Sequence, residues 1–133
     1  IDTPPNFNFY SKSALIAADS VLVPFDCDSF ARQSLYSLMD NIAELQEDHN
    51  PDLEVEGIVI NQFNSQARLP GELVAELEEE GYPVLGTYLN TSVKMKESHR
   101  AHRPLIDLAP SHKLTGQYLD LHAELEKAIS RAA

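Results

Sequence analysis

Three short, nearly unbroken apolar runs alternate along the chain with stretches in which apolar residues recur every three or four positions. The runs are residues 20–25, 55–60 (ending at Asn61) and 83–89. Continuous apolar runs of this length predict strands buried on both faces of a parallel sheet. The periodic stretches predict helices over 11–18, over 30–46 with Ala31, Leu35, Leu38, Ile42 and Leu45 on one stripe, and over 70–80 with Leu73, Val74 and Leu77 inward. Pro70 suits a first helical turn and Gly81 the position just past a helix end. A shorter helix is predicted over 93–101. A last one covers about 113–131, with Leu114, Tyr118, Leu121, Leu125 and Ile129 facing the sheet. Strands alternating with helices imply an α/β fold, a partial doubly wound parallel sheet flanked by helices.

Length and charge narrow the picture. With 133 residues the chain makes one domain, residues 1–133, and can bury a real core. No apolar run approaches the roughly 18 residues of a membrane span. The single Cys27 cannot form an internal disulfide, which fits a reducing compartment. A soluble, cytoplasmic protein without a membrane partner is expected. The net charge of −11 argues against wholesale nucleic-acid binding but leaves room for a local basic patch.

Ile1-Asp2 reads as the end of a strand whose body is missing, stopped by Pro4-Pro5. The expectation is a C-terminal part of a longer protein. In open α/β sheets ligands sit outside the carboxyl ends of strands, which places Asp2, Asp26, Asn61 and Asn90 at that rim. Gly81 and Gly86 have phosphate-loop spacing, but Thr87 stands where the lysine belongs and the residues between read as strand. The match is false, and the chain lacks the lysine that neutralises transferred phosphate. Asp2 is a different matter: a carboxylate at a strand end beside phosphates can orient a magnesium-bound water. Read alone, it is a turn former before proline.

Longer strings are more specific. They are Ile1-Asp2-Thr3-Pro4-Pro5, the stretches 14–25 and 57–63, Phe30-Ala31 with Leu35, Arg68-Leu69, the segment 84–95 leading to Pro104-Leu105-Ile106, and 110–121. In this order and spacing the chain resembles the C-terminal portion of the ParA/Soj/MinD family of deviant-Walker ATPases, nearest to the plasmid and chromosome partition members. The resemblance implies an N-terminal portion with a lysine-rich phosphate loop, and an intact parent that binds ATP and Mg2+. Such a parent dimerises, binds DNA nonspecifically and hydrolyses ATP when stimulated by a ParB-class protein. It implies that Asp2 is the Walker B aspartate holding the magnesium-bound water, and that Asn61 and Leu89-Asn90 lie near the adenine. Many relatives have Pro-Arg where this chain has Asn90-Thr91. It also implies nucleoid association in the cytoplasm, and that the fragment alone neither binds ATP tightly nor hydrolyses it. A strand of the absent portion would lie beside 21–25, so self-association through that open edge is expected.

Four of the ten cations, Lys94, Lys96, Arg100 and Arg103, fall within ten positions, while the stretch 40–80 holds twelve acids and only Arg68. On a helix 96, 100 and 103 share a face. Such a patch can meet DNA phosphates, and by resemblance these four with Arg68 are the candidate DNA contacts. The alternative is a solvated face balanced by Glu97 and the acidic helices. His99 and His102 have a metal-ligand spacing, but the cations around them oppose a metal. Asp26 and Asp28 flank Cys27 and oppose thiolate formation, so a packed side chain is expected there. Two other readings remain. One is a self-contained α/β protein-interaction module that binds through its acidic helices without nucleotide. The other is a receiver-like phosphoacceptor using Asp2 or Asp26, for which the early acidic pair and a placed lysine are missing.

Overall fold

The computed structural model describes residues 1–4, 6–27 and 31–132, with side chains through residue 127. Expectations involving Pro5, Asp28, Phe30 or the side chain of Ile129 lie outside these residues. Helix α1 spans Phe9–Ala17. It starts two residues before the apolar period does because the Asn8 side chain accepts hydrogen bonds from the Tyr10 and Ser11 amides at 2.9 and 3.2 Å. Buried Ser11 donates to the Asn6 carbonyl at 2.7 Å, fixing the approach of the chain. Ile1–Pro4 belong to no strand, contrary to the strand ending expected at Ile1-Asp2.

Strand β1 (Ser20–Asp26) pairs in parallel with β2 (Glu54–Asn61), from Ser20 opposite Glu54 to Asp26 opposite Asn61. Helix α2 (Ala31–Asp48) connects them. Just past its end Asn50 donates to the carbonyls of Leu15 and Ala18, both at 2.9 Å, satisfying the last turn of α1. Helix α3 (Arg68–Glu79) follows, closed by Gly81 at φ 84°, a backbone position glycine takes without strain. Then come α4 (Val93–Ala101), the single turn α5 (Leu105–Leu108), for which no periodicity gave notice, and α6 (Lys113–Ala132).

The 83–89 segment is not a continuous strand. It runs parallel along the free edge of β2, where Ile58 N donates to Pro83 O, Leu85 N to Ile58 O and Leu89 N to Ile60 O. Leu85 and Leu89 are four residues apart but reach carbonyls only two apart on β2. The surplus bulges out at Gly86 and Thr87 and breaks the ladder.

Two cores lie on opposite faces of this sheet. Val23, Phe25, Ile58 and Ile60 pack with Leu15, Leu35, Ile42, Leu45, Val74 and Leu77 of α1, α2 and α3. Val59 and Leu89 pack with Leu105, Leu114 and Leu121 of α5 and α6. Only β2 is buried on both faces. In β1 the residues alternate, Val23 and Phe25 inside, Pro24 and Leu22 exposed, Leu22 at 37%. The two-sided burial expected of the 20–25 run therefore holds for 57–60 and fails for β1, because α6 covers β2 and no described element covers that face of β1. Tyr118, expected to face the sheet, is 41% exposed.

Candidate functional site

At the carboxyl end of the sheet, Asp26 closes β1 and Asn61 closes β2. Asn61 Nδ2 donates to Asp26 Oδ1 and Gln62 Nε2 donates to Asp26 Oδ2, both at 2.8 Å. One carboxylate thus receives a side-chain amide on each oxygen. Gln62 holds φ 51°, a left-handed conformation that costs a residue with a Cβ roughly 1 kcal/mol or more. That turn carries the chain from β2 towards Phe63, whose amide donates to Leu89 O at 2.8 Å and whose ring meets Tyr88 edge-on at 5.0 Å between centroids. Burial, followed by the nearby Glu78 carboxylate, raises the Tyr88 pKa.

Asn90 sits beside this turn with its polar groups engaged. Its Nδ2 donates to Phe63 O at 3.1 Å, its backbone N–H donates to Gln117 Oε1 at 3.0 Å, and Gln117 Nε2 donates to Asn90 Oδ1. Leu89 is buried in the second core, and its amide and carbonyl are both used along the sheet. Asp2 is exposed, with no hydrogen bond or ion pair among the described residues. The structure therefore brings Asp26 and Asn61 into contact at the rim, with Asn90 joined through Phe63, and does not bond Asp2 to them.

The bulge at Gly86-Thr87 is closed by a carboxylate. Glu124 on α6 accepts from Gly86 N at 2.8 Å and from Thr87 N at 3.0 Å. Partial burial pushes the Glu124 pKa up, but the hydrogen bonds from Thr87 and Gly86 outweigh it and the net shift is downward.

The basic residues divide. Helix α4 begins at Ser92, which accepts from Lys94 N, and ends at His102 in a left-handed conformation, φ 50°. Arg103 therefore lies beyond the helix and does not share its face with Lys96 and Arg100, as the i+3 spacing predicted. Instead its guanidinium donates to Asp107 O at 3.1 Å. Lys94 pairs with Glu97 at 2.6 Å, and Arg68 with Glu72 at 2.5 Å. Lys96 and Arg100 are exposed, without an ion pair among the described residues. His99 and His102 both line a groove beside α6, and no group of three potential metal ligands lies together among the described residues. Cys27 is half-buried.

A family model described as an AAA domain matches residues 1–55. The chromosome partitioning protein ParA of Myxococcus xanthus is 34% identical over 130 residues, covering 96% of this chain and 45% of that protein. The family follows from these matches. The chain belongs to the ParA/MinD-type partition ATPase family. Within it, the sporulation initiation inhibitor protein Soj of Bacillus subtilis is 28% identical over 126 residues, covering 94% of this chain and 50% of that protein. The chain thus spans about half the length of the curated relatives it matches. Cobyrinic acid a,c-diamide synthase of Mycobacterium smegmatis, solved with an ATP analogue and magnesium, superposes at a TM-score of 0.63 and 24% identity. That match covers 68% of this chain and 37% of that one. Its ADP and magnesium complex also superposes at 0.63, with 20% identity. These structures share the α/β fold with its parallel sheet and flanking helices. No described helix is long and apolar enough to cross a membrane.

Several residues that organise this member of the ParA/MinD-type family were not singled out from sequence. Gln62 gave no signal, because a left-handed glutamine has no pattern. Gln117 and Glu124 did give one: they are polar positions at i and i+7 on the same stretch of α6 that carries Leu114 and Leu121. Arg32 was missed as well. It donates to Tyr36 OH at 2.5 Å, to Glu80 at 2.5 Å and to Glu76, while Tyr36 OH donates to Glu80 at 2.6 Å. This set ties α2 to α3, with the Tyr36 and Tyr82 rings stacked at 5.8 Å beside it.

Proposed function

We propose that the chain is the C-terminal part of a ParA-type ATPase domain acting in plasmid or chromosome partition. Its intact parent binds Mg-ATP, dimerises, binds DNA nonspecifically on the nucleoid and hydrolyses ATP when stimulated by a ParB-class partner. The observation that carries the reading is the rim. Asp26, Asn61 and Asn90 stand at the carboxyl ends of three parallel-running segments, where open α/β sheets bind ligands, in a chain whose relatives are partition proteins.

The donors present suit a nucleotide in part. The exposed Asp2 carboxylate is free to accept from a magnesium-bound water. Asn61 commits Nδ2 to Asp26 and keeps Oδ1 to accept from an adenine amino group. Asn90 is used up by Phe63 and Gln117, so its role is to position the 89–90 backbone at the adenine edge. When bound, Mg-ATP supplies the phosphoryl group and the cation that neutralises it, and catalysis is then mostly positioning and charge stabilisation. The 133 residues contain no glycine-rich phosphate loop, and on their own they neither bind ATP tightly nor hydrolyse it. Lys96 and Arg100, exposed and without an ion pair among the described residues, supply the DNA contacts, and Arg68 and Lys94 would join them only on leaving Glu72 and Glu97, and Arg103 only on leaving the Asp107 carbonyl. The uncovered edge of β1 supports self-association.

The test is the reading frame ahead of Ile1. A lysine-bearing, glycine-rich phosphate loop encoded there, and an intact product whose ATPase in the presence of a ParB-class partner falls at least a hundredfold with Asp2→Ala, support the reading. A frame that encodes no such loop overturns it, and ATP turnover by the 133-residue chain above a mock preparation overturns the assignment of an inactive part.

A further inference from the structure

The rim at the ends of β1 and β2 holds a side-chain arrangement that strand geometry alone does not produce. Phe25 and Ile60 point into the core beneath α2 and α3, so Asp26 and Asn61, register partners across the sheet, project from the opposite face. Gln62 follows Asn61 directly, and in a continuing strand its side chain would return to the core face. It does not, because Gln62 holds φ 51°. The left-handed turn brings its amide round to the carboxylate that Asn61 already meets, with Asn61 Nδ2 on Oδ1 and Gln62 Nε2 on Oδ2, both at 2.8 Å. A glutamine in this region is strained, and such strain persists where its surroundings hold it. Two hydrogen bonds to one carboxylate are what hold it here.

The chemistry of the acceptor makes the arrangement directional. A carboxylate accepts and does not donate, whereas an asparagine amide does both, so Asp26 admits only one of the two orientations of the Asn61 amide. Nδ2 is turned to Asp26 and Oδ1 away from it, and no donor among the described residues reaches that oxygen. Gln62 ties the second carboxylate oxygen, so Asp26 cannot rotate out of reach of Asn61 without breaking both bonds. The backbone is held too. The turn that follows Asn61 is bonded to the neighbouring segment, Phe63 N to Leu89 O at 2.8 Å and Asn90 Nδ2 to Phe63 O at 3.1 Å.

In the nucleotide site proposed above, Asn61 Oδ1 is the atom that meets the base. Adenine presents an amino donor at its six position, and guanine presents a carbonyl acceptor there. An acceptor locked in place bonds the first and repels the second. An asparagine free to turn its amide over would offer Nδ2 to guanine and tell the two bases apart poorly.

We propose that Asp26, assisted by Gln62, is a specificity-determining positioning residue: by fixing the Asn61 amide with Oδ1 turned outward, it selects adenine over guanine. The inference rests on the partition-ATPase reading and adds to it a residue that acts through Asn61 without touching the nucleotide.

The test measures equilibrium binding of non-hydrolysable analogues of ATP and GTP, with magnesium, to the intact parent protein by isothermal titration calorimetry. The unsubstituted protein should bind the adenine analogue roughly thirtyfold tighter than the guanine analogue. Asp26→Asn keeps the size of the side chain but donates as well as accepts, which frees the Asn61 amide to turn over, and the preference should fall about fivefold or more. Gln62→Ala frees one carboxylate oxygen and should lower the preference about twofold. Asp26 and Gln62 are exposed, so both variants fold. Asn61→Ala should remove most of the preference, and adding Asp26→Asn to it should change the ratio no further. Damage to the fold or to phosphate binding weakens both analogues together, so the ratio reads the base alone. If the unsubstituted protein binds neither analogue, the partition-ATPase reading falls and the inference falls with it. Adenine binding with a ratio near one, or a ratio unchanged in Asp26→Asn, overturns the inference alone. So does a fall in the ratio that persists in the Asn61→Ala background, which would make Asp26 itself the base contact.

Discussion

Removing the Glu124 carboxylate tests whether the interruption in the third sheet segment is held by α6. In Glu124→Ala the amides of Gly86 and Thr87 lose acceptors at 2.8 and 3.0 Å. A hydrogen bond to a charged group contributes about 1.5–3 kcal/mol, so two would contribute roughly 3–6 kcal/mol if water could not replace them. Gly86 is exposed and its freed N–H is rehydrated, while Thr87 is half-buried. The expected loss therefore falls to the lower end of that range or just below it, about 2–3 kcal/mol. With a urea m-value of about 2 kcal/mol per M, that lowers the midpoint by roughly 1–1.5 M. Glu124→Gln keeps one acceptor oxygen but presents an amide hydrogen to an N–H, and should lose about half as much. The folded-state pKa of Glu124 lies below its ordinary value, so its contribution is present above about pH 4.3 and lost as pH falls through the lowered value. The gap between wild type and Glu124→Ala should thus narrow when unfolding is repeated near pH 3. A midpoint shift under 0.2 M at pH 7, or a gap that does not narrow in acid, would refute the assignment of the bulge to this carboxylate.

Gly57 has no room for a side chain, since a Cβ would lie 2.5 Å from Leu85 Cδ2 and 2.7 Å from Cγ. Gly57→Ala should cost about 1–3 kcal/mol in urea unfolding, and the double variant with Leu85→Ala should cost clearly less than the sum of the two singles. Tyr36→Phe should flatten the stability profile at both ends of the pH range. The Tyr36 hydrogen bond, followed by Arg32, lowers the Glu80 pKa, so that contribution disappears as pH falls below the ordinary glutamate range. The Tyr36 pKa is raised, first by its bond to Glu80, so its contribution disappears as pH rises past about 10. Unchanged acid and alkaline limbs in differential scanning calorimetry would count against the α2–α3 clamp. Lys96→Ala with Arg100→Ala in the intact parent should weaken DNA-cellulose retention and reduce the slope of log affinity against log salt by about 2, two phosphate contacts at ~0.9 each, whereas an unaltered slope would remove these residues from the DNA face.

The α/β architecture was legible because α2, α3 and α6 carry strong helical periods and β2 is buried on both sides, so local pattern and tertiary burial agree there. They part company at β1 and at 83–89. An apolar run reports only that burial is favourable, and whether a neighbour covers Leu22 is a property of the rest of the sheet. The bulge at Gly86-Thr87 depends on Glu124, 38 residues further along, and no local pattern encodes it. Of the rim, topology alone placed Asp26, Asn61 and Asn90. What they bond to was set by Gln62 and Gln117, whose amides are ordinary polar residues in sequence. The end of α4 escaped for a related reason: the i+3 step from Arg100 to Arg103 is helical in spacing, but His102 turns left-handed and sends the arginine elsewhere.

Helix α6 grips the same run of backbone twice, through Glu124 at the bulge and through Gln117 at Asn90. Seven residues separate the two grips, two turns of one rod, so the helix cannot roll about its own axis without letting go at both. Segment and helix consequently behave as a single stiff lever with its short arm at the sheet rim. A load on the outer surface of α6 is felt at the turn where Phe63 and Asn90 meet, although no side chain spans that distance directly.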